Sequence, residues 1–141
     1  MNTMANEQIK NHIASYCATR PEIVACYLFG SRAAGKERPG SDVDVAFLLD
    51  GAIRADAYFD LKMVYLSALG AVLRLDIHPL IMNNAGEVVL EQIFRKGLPV
   101  YGCDSLECVR FRMIQCSLIA EFAPIRDRME DMLFRKYKEA Y

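Results

Sequence analysis

Apolar residues recur at helical spacing between Ala5 and Thr19, at Ile9, Ile13, Tyr16 and Cys17, and Arg20-Pro21 closes that run. Ile23 to Phe29 is a short apolar stretch rich in β-branched and aromatic side chains, which predicts a buried strand ended by Gly30. A second such stretch, Val43 to Leu49, ends at Asp50-Gly51. Ala55 to Leu69 then returns to helical spacing through Tyr58, Phe59, Leu61, Met63, Leu66 and Leu69, with Gly70 as its stop. Val72 to Ile77 reads as a third strand terminated by Pro79, so that Asp76 is an acid inside an otherwise apolar strand. Asn84 to Lys96 predicts a further helix with Val88, Val89, Ile93 and Phe94 inward and Gly97 as its stop, followed by the short apolar segment Leu98 to Tyr101. From Asp104 onward strand signals cease. Leu106, Val109, Met113, Ile114, Leu118 and Phe122 predict a long helix that Pro124 breaks or restarts, and Met129, Met132, Leu133 and Tyr137 form a last apolar stripe.

Strands alternating with helices predict an α/β or α+β fold, a small mixed sheet packed with helices, and a C-terminal helical extension. The expected organisation is a single domain over 1–141, with a core over 1–102 and the extension over 103–141. The last apolar stripes fit either the core or a partner surface.

The polar residues that interrupt this pattern carry the chemistry. Side chains alternate across a strand, so Asp42 and Asp44 project to one face while Val43 and Val45 enter the core. Two carboxylates held side by side repel, and a cation or a proton relieves them. All-oxygen ligands on a rigid strand suit Mg²⁺, which completes its shell with water and substrate phosphates. Upstream, Gly30 lets a backbone approach a ligand closely, and Ser31, read as the start of a short helix, offers a hydroxyl and backbone N–H groups to phosphate oxygens. If the third strand lies beside the second, Asp76 adds a carboxylate to the same face and a second cation could share the site. His78 shares the face of Asp76, yet a lone histidine is more often packed or solvent-facing, which places it outside the site.

Composition narrows the picture. With 53% apolar residues the chain has the means to bury a core, and a formal net charge of −1 offers no phosphate-tracking surface, which disfavours a nucleic-acid partner. Five cysteines without a Cys-x-x-Cys pair suggest reduced thiols in a cytoplasmic setting rather than disulfides or zinc, with the cysteines as core filler. No apolar run approaches the roughly 18 residues of a membrane span, and Met1 to Glu7 lacks the order of a signal peptide.

Gly30-Ser31, ten intervening residues, Asp42-x-Asp44 and a later strand aspartate at Asp76 resemble the signature of the DNA polymerase β-like nucleotidyltransferase superfamily. The short chain, the Gly-Ser-Arg-Ala-x-Gly opening and the Ser-Asp-x-Asp ending resemble the minimal nucleotidyltransferases. The segment Glu87 to Tyr101 and the apolar-striped C-terminal helix are similar to antitoxin members of that group. The resemblance implies Mg²⁺-dependent transfer of AMP from ATP, with Asp42, Asp44 and Asp76 as metal ligands, Asp76 as base, and Gly30, Ser31, Arg32 and Ser41 at the nucleotide, joined by Lys36 or Arg38 if the loop folds over it. It also implies a prokaryotic partner, a HEPN-class ribonuclease toxin modified on a tyrosine hydroxyl and held in a hetero-oligomeric complex. Two other functions stay open at this point: nucleotidyl transfer to a small molecule such as an antibiotic, and neutralisation of the toxin by binding alone.

Overall fold

The computed structural model describes residues 5–35 and 42–140. Ser41, Lys36 and Arg38 lie outside the described residues, as do the side chains of Phe122 and Tyr137.

In chain order the elements are α1 (Asn6–Ala18), β1 (Ile23–Phe29), β2 (Val43–Leu49), α2 (Tyr58–Leu73), β3 (Ile77–Ile81), α3 (Glu87–Lys96), β4 (Leu98–Tyr101) and α4 (Leu106–Ala140), with short 3₁₀ turns at Ala55–Ala57 and Met82–Asn84. The strands form one mixed sheet in the order β3-β2-β1-β4. β1 pairs antiparallel with β2 and with β4, while β2 and β3 run parallel. This is the predicted mixed α/β architecture.

Alternation along the strands divides the core in two. Val43, Val45, Phe47 and Leu49 of β2 pack with Ile9 and Ile13 of α1 and with Tyr65 and Leu69 of α2. Ala46 and Leu48 face the other way, toward Leu90 and Ile93 of α3 and Cys108 of α4. Both faces of the sheet are therefore covered, which explains why β1 and β2 read as nearly continuous apolar runs. In the turn after β3, the side chain of Asn83 both donates to and accepts from the backbone of Leu49, at 2.8 Å each, and anchors the far end of β2.

Several expectations change. Val72 and Leu73 belong to α2, not to a strand, because the helix runs through Gly70 and the left-handed cap falls on Arg74 at φ 53°. A glycine inside a helix costs only about 1 kcal/mol, which packing of Leu69 and Leu73 offsets. The third strand accordingly shifts to Ile77–Ile81 and contains Pro79 instead of stopping before it. The backbone N–H of Val43 donates to the carbonyl of Asp76 (2.8 Å), which sets His78 and Leu80 to donate inward and leaves the proline nitrogen on the open edge, where no ladder bond is lost. Asp76 thus sits one residue before the strand. The Gly30–Gly35 segment is a set of turns closed by Ala34 N–H to Gly30 O (3.1 Å), and Ser31 does not start a regular helix. Finally, α4 continues through Pro124, although a proline inside a helix removes one intrahelical bond and crowds the carbonyl four residues back. The cysteines divide too: Cys17, Cys26 and Cys108 are buried and fill the core, but Cys116 is exposed and Cys103 half-buried, and all five are free thiols.

Candidate active site

The site begins where β1 ends. Phe29 is the cross-strand partner of Asp44, so the chain turns at Gly30 directly beside that carboxylate. Gly30 has φ 75°, and a Cβ built there would overlap the Asp44 side chain, Oδ2 first. Only glycine meets both demands, the left-handed backbone and the close approach. The next residues fasten this turn to α1. Arg32 is 2% exposed, its guanidinium donates to Asn6 Oδ1 (3.4 Å), and the Asn6 amide donates back to the Arg32 carbonyl (3.2 Å). Ser31 is exposed.

Asp42 and Asp44 stand on one face of β2, on the side of Ala46 and Leu48 but beyond the cover of α3 and α4. Their side chains are 45% and 26% exposed, open enough to be reached from solvent. Burial raises the Asp44 carboxyl above the usual carboxylate range; His78 opposes that shift and the Asp42 charge adds to it.

The side chain brought against this pair is His78. Parallel pairing sets it across from Asp44, with its Nε2 3.2 Å from Asp42 Oδ2 and its Nδ1 3.6 Å from Asp44 Oδ1. Sequence reasoning sets this residue aside; the signal that finds it is the repeated spacing, Asp42-x-Asp44 beside Asp76-x-His78 on adjacent strands. Asp76 falls level with Asp42 by extension of the same register. Its side chain is exposed and lines a cavity of about 670 Å³ at the β3 edge, together with Leu66, Gly70, Arg74 and His78. Among the described residues no three His, Cys, Asp or Glu side chains converge closely enough to hold a metal ion. The donor chemistry nonetheless fits a hard divalent cation. Two carboxylates share a face and repel, and Gly30 supplies room for the inner one.

A family model for the polymerase beta nucleotidyltransferases matches residues 11–106, a span running from α1 through the turn, both carboxylates, Asp76 and β4. The chain belongs to that family. A nucleotidyltransferase core therefore places the Gly30 turn and the Asp42-Asp44 strand side by side.

The fold has close solved counterparts. A toxin–antitoxin structure with AMP-PNP is similar with a TM-score of 0.72 and 22% identity, over 89% of this chain and 98% of that one. A toxin–antitoxin MntA-HepT structure matches at 0.67 and 20%, over 91% and 98%. A tri-AMPylated HEPN toxin in complex with an MNT antitoxin from Shewanella oneidensis matches at 0.58 and 24%, over 90% and 99%. No protein of curated function matches the chain in sequence. Among the described residues no helix is long and apolar enough to cross a membrane.

Proposed function

We propose that this nucleotidyltransferase is the antitoxin of a toxin–antitoxin pair and moves AMP from ATP to a tyrosine hydroxyl of a HEPN ribonuclease toxin. The observation that carries the reading is the Asp42-Asp44 pair, held on one strand face against the Gly30 turn in a chain of this family. The solved counterparts, one a toxin–antitoxin structure with AMP-PNP and another a HEPN toxin in complex with an MNT antitoxin, support the nucleotide and the partner.

Asp42 and Asp44 would hold Mg²⁺, with Asp76 level with Asp42 at the edge of β3. A cation held by that pair would supply neutralisation of triphosphate charge and a lowered pKa for the acceptor hydroxyl. The rest falls to the chain. Ser31 and the turn amides take the terminal phosphate, joined by Ser41 ahead of β2. Arg32, buried beneath the turn, adds positive charge and ties the turn to α1. Asp76, at the wall of the 670 Å³ cavity, accepts the proton of the hydroxyl arriving from that side. The new bond joins the tyrosyl oxygen to the α-phosphorus, the bond to the β-phosphate oxygen breaks, and pyrophosphate leaves in line. Catalysis here is positioning and electrostatics, with no covalent enzyme intermediate.

α4 supplies the means to hold a protein acceptor. It has 35 residues, about 50 Å at the usual rise. From Glu121 to Lys136 every described side chain except Ala123 is exposed, and Ile114, Leu118, Ile125, Met129 and Met132 fall on one stripe. An amphipathic helix with its apolar stripe in water fits a helical partner groove.

The test is the intact mass of the purified toxin after incubation with this protein, Mg²⁺ and ATP. One or more added AMP units, absent with Asp42→Asn, is the expected result. AMP found only on small molecules would shift the reading to an antibiotic-type acceptor. An unmodified toxin that is still bound and inhibited would leave neutralisation by binding.

A further inference from the structure

The two carboxylates already have an occupant between them. His78 Nε2 faces Asp42 Oδ2 at 3.2 Å and Nδ1 faces Asp44 Oδ1 at 3.6 Å. The other oxygen of Asp44, Oδ2, is turned to Gly30, in the space a Cβ would fill. The oxygens presented to the middle of the site are therefore the two that the imidazole faces. A divalent cation such as Mg²⁺ draws its oxygen ligands to about 2.0–2.1 Å, too close for the ring edge to remain between them.

We propose that His78 is a positioning residue of this pair: its ring holds Asp42 and Asp44 side by side, and a divalent cation and the ring are alternative occupants of the same two oxygens. The inference rests on the reading of Asp42 and Asp44 as a cation site. Three observations support it. Parallel pairing of β2 with β3 puts His78 directly across from Asp44, so the contact is set by strand register rather than by a mobile loop. The ring is 59% exposed on an edge strand and can turn into solvent without leaving a void in the core. Asp44 is the more enclosed carboxylate, and without a positive or hydrogen-bonding neighbour it would face Asp42 unrelieved.

Displacement has a measurable sign. A ring that must be moved aside weakens cation binding, and removing it also leaves the like charges unscreened, so both effects make the variant bind more tightly. A ring that instead ligates the ion strengthens binding, and its removal does the opposite.

The chain has two histidines, and His12, exposed on α1, serves as an internal reference. In the unaltered full-length protein, adding Mg²⁺ is expected to move the side-chain NMR resonances of His78 and leave those of His12 in place. Mn²⁺ binding, followed by loss of the free-ion EPR signal, is expected to tighten about two- to five-fold in His78→Ala, the range of an exposed ion pair, and to vanish in Asp42→Asn. Unchanged affinity in His78→Ala overturns the proposal, and weaker affinity overturns it in favour of a ligand role. His78 resonances that stay put at saturating Mg²⁺ overturn it without reference to any variant. If the unaltered chain binds no Mn²⁺, or Asp42→Asn binds it equally well, the pair is not a cation site, and the inference falls with that reading.

Discussion

Asp44 is costly to the fold. Its carboxyl is raised by burial and by Asp42, which means the folded chain holds that proton more tightly than the unfolded chain does. The charge therefore lowers stability as pH rises through the carboxylate range, and the penalty is absent below it. Asp44→Asn is expected to be more stable than the unaltered protein at pH 7, by up to about 1 kcal/mol. The gain should disappear near about pH 3, where both side chains are neutral; urea unfolding at the two pH values reads it, and a less stable variant at pH 7 would contradict the account. Gly30→Ala should act in the opposite direction. It strains a φ of 75° and drives a methyl group into Asp44, so a loss of at least about 1–2 kcal/mol is expected by the same method. The sequence displays these two residues openly, because the glycine ends one apolar strand and the aspartates alternate with valines at the head of the next. His78 is hidden for a physical reason. Its partners lie 34 and 36 positions away, and only the parallel register brings the ring to them.

At the scale of elements, β1, β2, β4, α1, α3 and the first parts of α2 and α4 were legible from periodicity, since each packs at least one face against a continuous core. β3 was not. Gly70 and Pro79 are helix and strand breakers by local rules, but α2 passes through the first and β3 contains the second, because packing holds the helix and the open edge asks nothing of the proline nitrogen. The shift matters for chemistry, as it moves Asp76 out of the strand and brings His78 to the level of Asp44. The far half of α4 makes a separate prediction. Ile125 is 50% and Met129 59% exposed, so the double variant Ile125→Asp, Met129→Asp should leave the unfolding free energy of the free protein within about 0.5 kcal/mol. The same variant should weaken capture of the toxin by at least about 100-fold in a titration, as expected for loss of central apolar anchors. Unimpaired capture would place the partner surface elsewhere.

Over the whole molecule, one end of the sheet gathers the Gly30 turn, both carboxylates, His78 and the cavity beside Asp76, while α4 carries an exposed apolar stripe. The near-neutral charge of the chain fits a protein acceptor better than a nucleic acid. What covers that stripe was beyond the reach of sequence, because an apolar stripe reads the same whether a core or a partner covers it. The central claim is that the carboxylate pair transfers the α-phosphoryl nucleotide unit, and it is tested most directly with two radiolabels. Purified protein, toxin and Mg²⁺ are incubated with ATP labelled at the α-phosphate or, separately, at the γ-phosphate, alongside Asp42→Asn. The account predicts label on the toxin from the α position only, and none with the variant. Label from the γ position, or equal α labelling by Asp42→Asn, would contradict it.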